Sequence, residues 1–193
     1  MLHRSARPRR PFFRPGGRGF SLVELLVVVA IGGILAAVAV PSFGSFLAIQ
    51  RTNALASRFL SSLHLARGEA IKRNARAVAC KSASGNGCTS SGGWEQGWIV
   101  FHDANNNADV DAGEVIVLQQ AAASSGLRLT GNLQVANYVS YSSSGSAKLV
   151  SGAFQAGTFT LCPAAGSDAA VQQIVLSNTG RPRLQAGLPG ACP

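Results

Sequence analysis

The chain has 193 residues and a formal net charge of +9, enough for one compact domain plus something extended but not for two full-sized domains. Six of its 17 basic residues (Arg4, Arg7, Arg9, Arg10, Arg14, Arg18) lie in an N-terminal tip that contains no acidic residue. From Phe20 onward, eleven basic residues against eight acidic ones leave 11 − 8 = +3, which excludes a uniformly basic nucleic-acid-binding domain.

The tip leads into FSLVELLVVVAIGGILAAVAV, Phe20 to Val40, where Glu24 is the only charge. At 1.5 Å per residue this run spans about 30 Å, the thickness of a hydrocarbon core. It exceeds the roughly 7 to 15 apolar residues of a cleaved secretory signal. The positive-inside rule keeps the arginine-rich tip cytoplasmic and sends everything after Pro41 across the inner membrane. Four cysteines then lie in an oxidising compartment, where disulfides are expected.

A carboxylate inside a membrane helix costs about 2.5 to 3.5 kcal/mol on insertion scales, so a compensating partner is expected for Glu24. The segment GFSLVELLVVVAIGGILAAVAVP resembles the class III signal of type IV pilins and type II secretion pseudopilins. That resemblance implies a leader over 1–19 that a prepilin peptidase cuts after Gly19, with methylation of the new N-terminal Phe20. Cleavage removes the six leader arginines and leaves an ammonium on Phe20. Glu24 of a neighbouring subunit can neutralise that ammonium where the dielectric is low, which would set subunit register in a filament.

Pro41 is expected to kink a helix that continues past it. Over 41–76 the pattern stays helical. Leu55, Phe59, Leu63, Ala66 and Ala70 form one apolar stripe, with Arg51, Arg58, Lys72 and Arg76 on a different face. Gly32 and Gly33 permit close approach of another helix in the 20–40 segment. A helix from Phe20 to about Asn74 is about 80 Å long, a length that suits a filament stem or membrane anchor.

From Ala77 to the end, Gly, Ser and short alternating runs mark an antiparallel β domain. WIVFHD (Trp98 to Asp103) and EVIVLQQ (Glu114 to Gln120) read as a hairpin. Further strands are expected at LRLT (Leu127 to Thr130), YVSYS (Tyr138 to Ser142), GTFTLC (Gly157 to Cys162) and QQIVLS (Gln172 to Ser177). The last turns at Asn178-Thr179-Gly180 into RPRLQ, while SYSSSGSA reads as a loop.

The segments WEQGWIVFHDANNNADVDAGEVIVL and IVLSNTGRPR resemble the hairpin and the GRxR ending of the GspH/FimT family of minor pilins and pseudopilins, closer to the FimT branch by the GRxR motif. The resemblance implies a pilin-like α+β fold, a long N-terminal hydrophobic helix packed on an antiparallel β-sheet domain. It also implies a minor type IV pilin, without enzymatic activity, that takes part in pilus assembly and binds DNA for uptake in natural transformation. The alternative is a GspH-like minor pseudopilin of type II secretion, structural and without DNA binding. The implied partners are other pilins or pseudopilins, prepilin peptidase, DNA, and the inner membrane before assembly into a pilus or pseudopilus; the globular domain is then periplasmic.

In the loop DANNNADVDAGE, residues Asp103, Asn105, Asn107, Asp109, Asp111 and Glu114 fall at positions 1, 3, 5, 7, 9 and 12 of an EF-hand spacing. The sixth position, which wants glycine, is Ala108, and the flanks read as strands. A polar hairpin turn, rich in Asn and Asp for backbone reasons, is the preferred reading, with calcium as the alternative. Cys80 and Cys88 enclose a short Gly/Ser/Asn loop and are expected to pair. Cys162 and Cys192 then close a long loop containing GRPR. Zinc is the alternative, but no CxxC pair or nearby histidine pattern supports it. No catalytic constellation is visible around His3, His64 or His102.

There remain Arg181 and Arg183. In an extended segment, residues i and i+2 point to one side, and Pro182 favours that conformation at Arg181. Gly180 is expected to make the turn that lifts the pair off the strand. Paired guanidinium groups match phosphate oxygens bidentately, and phosphates are read without sequence preference. Two phosphates give a salt slope of only about −2, so capture needs further basic residues, such as Lys148 or Arg128, or several copies on one filament.

Overall fold

The computed structural model describes residues 19–124, 126–163, 171–187 and 192, without the side chains of 39–42 and 45. The leader expected over 1–19 lies outside these residues except for Gly19. The bend expected at Pro41 falls among the undescribed side chains. The chain divides into two compact units, Met1–Phe43 and Gly44–Pro193. One helix, α1 (Leu22–Arg73), has residues in both.

In the first unit, α1 begins with Ser21 as its N-cap. Ser21 Oγ accepts the Glu24 backbone N–H at 3.2 Å, and Leu25 N donates to Ser21 O at 3.2 Å. Glu24 therefore sits in the first helical turn, where the N-terminal end of the helix dipole favours a negative charge. This local stabilisation comes in addition to any partner in a neighbouring subunit. Every described side chain from Phe20 to Val38 is exposed. Among the described residues no helix is long and apolar enough to cross a membrane; the last two side chains of the run expected to span, 39 and 40, are outside the described set.

In the second unit, the predicted stripe Leu55, Phe59, Leu63, Ala66 and Ala70 is fully buried, while Arg51, Arg58 and Lys72 are exposed. The helix stops at a Schellman motif. Asn74 takes a positive φ of 50°, Asn74 N donates to Ile71 O, and Ala75 N donates to Ala70 O, which satisfies the last carbonyls. Among the described residues eight strands follow: β1 (Ala77–Lys81), β2 (Gly97–His102), β3 (Ile116–Ala121), β4 (Leu127–Gly131), β5 (Tyr138–Tyr141), β6 (Gly157–Pro163), β7 (Gln172–Leu176) and β8 (Pro182–Ala186). They form two antiparallel four-stranded sheets, β3-β2-β1-β5 (sheet A) and β4-β6-β7-β8 (sheet B). A helix with antiparallel sheets is the α+β, pilin-like architecture that the sequence implied.

Phe59 is at the centre of the main core. Its ring meets those of Trp94, Trp98 and Phe159 edge-on, with centroids 5.0, 5.1 and 4.7 Å away. Such T-shaped contacts add about 0.5–1.5 kcal/mol each beyond area burial. Both sheets contribute to this core: Ala77, Ala79, Val100 and Val139 from sheet A, and Leu129, Phe159, Leu161 and Ile174 from sheet B. Sheet A also buries its other face, where Val78, Cys80, Ile99 and Phe101 pack with Ala108, Val110 and Cys88 from loops. Strand β1, which the sequence did not single out, is buried at all five positions. A strand covered on both sides has no apolar–polar alternation to reveal it.

Candidate functional site

The arginine pair sits on the β7–β8 hairpin. Gly180 N donates to Ser177 O at 2.9 Å, Ser177 N to Arg181 O at 3.2 Å, and Arg181 N to Ser177 Oγ at 3.2 Å. With Gly180 at φ +76°, this is a three-residue hairpin turn ending in a left-handed residue. The expectation that Gly180 lifts the arginines off the strand needs correction: β8 folds back and pairs with β7, Arg183 opposite Val175 and Pro182 opposite Leu176. Pro182 is buried between two exposed arginines, so Arg181 and Arg183 share the solvent side. β8 is an edge strand, where a proline lacking its N–H is tolerated.

Gly180 has a second role that the sequence reading missed. A Cβ there would collide with the carbonyl of Gly145 and crowd Ala147 N. Gly145 in turn accepts Arg67 Nε of α1 at 2.8 Å. The turn that carries Arg181 is thus held against the 142–147 loop, and that loop against the helix. The segment SYSSSGSA was legible as a loop, but the contact of its Gly145 with Gly180 is not encoded by any local pattern.

The acidic loop uses its carboxylates as acceptors for its own backbone and side-chain amides. Asp103 is buried and accepts Asn106 N (2.6 Å), Asn107 N (3.2 Å) and Ala108 N (3.0 Å). Glu114 accepts Ala104 N at 2.8 Å and Asp111 N at 3.1 Å, which takes it out of the expected strand. Asn105 and Asn107 both donate their amides to Asp111 Oδ2 at 2.7 Å. Ala108 adopts the left-handed conformation without being glycine, at φ 60°, and its side chain packs into the outer face of sheet A. Among the described residues no group of three or more His, Cys, Asp or Glu side chains is arranged to hold a metal ion.

Cys80 is bonded to Cys88, and Cys162 to Cys192. Buried Lys81 ties down the loop after the first bond by donating to Ser90 O at 3.0 Å and Gly92 O at 2.8 Å. The second bond encloses GRPR in sequence, but the hydrogen bonds of the hairpin itself present the arginines. Cys162 pairs with Arg128 on β4, whereas Arg183 aligns through Val175 with Thr158 on β6.

Of the histidines, His64 is exposed on α1, His3 lies outside the described residues, and His102 sits at the end of β2 with Nε2 3.2 Å from Glu69 Oε2. Burial pushes the Glu69 carboxyl up, but the hydrogen bond from Arg73 and the charges of Lys72, Arg73 and His102 outweigh it and hold the group below the usual carboxylate range.

Comparison with known proteins places this geometry. A family model described as "Type II transport protein GspH" matches residues 55–180. The "Prokaryotic N-terminal methylation motif" matches residues 14–40. The type IV major pilin protein PilA of Myxococcus xanthus (strain DK1622) is 62% identical over 34 residues, 18% of this chain and 16% of that protein. The match thus spans about a sixth of that relative. The type IV minor pilin FimU of Pseudomonas aeruginosa (strain PAO1) superposes with a TM-score of 0.50 at 15% identity, covering 69% of this chain and 91% of FimU. The minor pseudopilin EpsH from the type 2 secretion system of Vibrio cholerae gives 0.50 at 17% identity, covering 72% and 98%. At these identities the two structures establish a shared fold.

Proposed function

The chain belongs to the GspH family of type II transport proteins, whose fold is that of structural pilins and pseudopilins, and we propose that it is a minor type IV pilin that binds DNA through Arg181 and Arg183 during uptake for transformation. The observation that carries this reading is the hairpin: two arginines on one solvent side, separated by a buried proline, behind a glycine packed too closely for any side chain. Guanidinium pairs in fixed register suit phosphate oxygens. In this proposal the peptidase cuts after Gly19, Phe20 is methylated, and the Phe20–Val40 segment anchors the subunit in the inner membrane before assembly. Glu24 meets the Phe20 ammonium of a neighbour in the filament. The chain performs no chemistry of its own.

The test is DNA binding by the full chain in neutral detergent, wild type against Arg181→Gln/Arg183→Gln, with the leader arginines common to both. The double variant is expected to weaken binding and to reduce the salt slope by about 2. Equal slopes and affinities would overturn the DNA reading and leave the pseudopilin role of type II secretion, with protein partners only. Processing is tested separately: Gly19→Ala should leave the leader uncut, and normal cleavage of that variant would sink the assignment of the site.

A further inference from the structure

The turn that carries Arg181 is packed against the 142–147 loop, SSSGSA, where the carbonyl of Gly145 lies against Gly180. The same carbonyl accepts Arg67 Nε of α1 at 2.8 Å. Arg67 and the backbone at Gly180 thus stand on two sides of one carbonyl group, roughly 6 Å apart by ordinary contact distances. Arg67 is partly exposed. Its Nε bond engages one edge of the guanidinium and leaves the terminal amino groups for other acceptors.

On the same loop three serine hydroxyls converge. Ser142 Oγ is 2.9 Å from Ser144 Oγ and 2.8 Å from Ser146 Oγ, and Ser144 Oγ is 3.0 Å from Ser146 Oγ. Each hydroxyl carries one rotatable proton, so the group can turn to donate to an anionic oxygen. Ser144 is exposed, and Ser142 and Ser146 are half-buried. Neither this loop nor the turn from Ser177 to Arg181 contains Asp or Glu. Glu69, which follows Arg67 on α1, is already engaged by Lys72, Arg73 and His102. Of the basic residues expected to assist capture, Lys148 has its Nζ 4.8 Å from the Phe154 ring centroid, and Arg128 is on β4, at the opposite edge of sheet B from β8. Arg67, which the sequence did not single out, meets the turn through a single carbonyl.

Resting on the DNA reading above, we infer that the phosphate site is composite: the β7–β8 hairpin supplies Arg181 and Arg183, the 142–147 loop supplies serine hydroxyls, and Arg67 of α1 supplies a third guanidinium. The guanidiniums hold neighbouring phosphates of a strand, which follow one another at about 3.4 Å of rise, and the hydroxyls bond the same backbone without reading sequence. The two glycines set the spacing. A side chain at Gly180 would push the turn off the loop, and one at Gly145 would meet Ile71 and Arg67 of α1.

The experiment measures binding of a roughly 12-base-pair duplex to the full chain in neutral detergent over a salt series, with Arg181 and Arg183 intact. Arg67→Gln should lower the slope by about 1, and Arg67→Lys should restore it. Both lose the Nε bond to Gly145, so both should melt about 2–4 °C lower; a purely structural arginine would show that loss with no change of slope. Ser144→Ala removes a neutral contact and should weaken binding about threefold to tenfold at every salt concentration, with the slope unchanged. Ser143→Glu adds a carboxylate beside the hydroxyls and should weaken binding, whereas Ala83→Glu, the same charge on the 82–92 loop of sheet A, should not. If Arg67→Gln keeps the wild-type slope or Ser144→Ala the wild-type affinity, while Arg181→Gln/Arg183→Gln weakens, the composite site is overturned and the hairpin reading stands. If none of the variants differs from wild type, the hairpin reading falls with it.

Discussion

Sheets A and B have the same strand count and the same antiparallel pairing, yet they meet solvent in opposite ways. In sheet A the strands β1 and β2 are covered on both faces, on the outer one by the 82–92 and 103–115 loops, which insert Cys88, Ala108 and Val110. Sheet B has half-buried Thr, Gln and Val and exposed Arg side chains on its outer face, with Cys162 buried there and bonded to Cys192. The two hairpin loops follow suit. The acidic loop uses its carboxylates as structural acceptors for backbone N–H groups and Asn amides, whereas the basic hairpin closes itself with Ser177 and backbone groups and without either guanidinium. What a charged residue can do for function depends on whether the local backbone has already consumed it.

The sharpest way to break this contrast is Asp103→Ala. A buried carboxylate that accepts three backbone N–H groups leaves those donors orphaned when removed, at a cost of about 3 kcal/mol. At roughly 2–4 °C per kcal/mol for a domain of this size, thermal melting should fall by about 6–12 °C. A shift below about 2 °C would mean that the loop does not depend on its own carboxylates.

Gly180→Ala comes next, with an expected cost of about 2 kcal/mol. Roughly half is the left-handed conformation and the remainder is the collision with the Gly145 carbonyl. Gly152→Ala is the internal control, since Gly152 has φ +87° but open space around its would-be Cβ; it should cost about 1 kcal/mol. Equal costs by denaturant titration would show that the hairpin is not braced against the 142–147 loop.

These two glycines also mark the limit of what the sequence disclosed. The helix stripe and the strands β2 to β7 were legible because periodicity and β-branched runs are local properties. Strand β1 was not, because burial on both sides erases its alternation. The ligand-like spacing of DANNNADVDAGE was legible but ambiguous: alternate Asn and Asp residues that could surround a cation are also spaced to cap the turning backbone between them. Arg181 and Arg183 were visible as a pair. Their strand pairing and the Gly145–Gly180 contact depend on register between segments far apart in the chain, which no window of residues contains.

Acid should separate the two kinds of charge. The Glu69 carboxyl is held below its usual value of 4.5 in the folded chain, so it binds fewer protons folded than unfolded. Its contribution to stability is fully present above the ordinary carboxylate range and is lost as pH falls below 4.5 through the depressed folded value. Urea midpoints measured from pH 7 down to 3 should therefore decline at the acid end, and Glu69→Gln should flatten that decline. A Glu69→Gln curve parallel to wild type throughout would remove the clamp between the last turn of α1 and β2.

The smallest expected effect on stability is the most telling for function. Arg181→Gln/Arg183→Gln removes two exposed guanidiniums for which the described residues provide no carboxylate on the strands of their sheet. Exposed substitutions of this kind change stability by no more than about 0.5 kcal/mol. The hairpin should keep its fold, because Ser177, Gly180 and the backbone of Arg181 close it without either side chain. A melting loss above about 5 °C would show that the arginines are structural like Asp103, and any loss of DNA binding in the double variant would then report a damaged hairpin. Unchanged melting together with a reduced salt slope would separate the two sheets, one using its charges to hold the chain and the other leaving them for a polyanion.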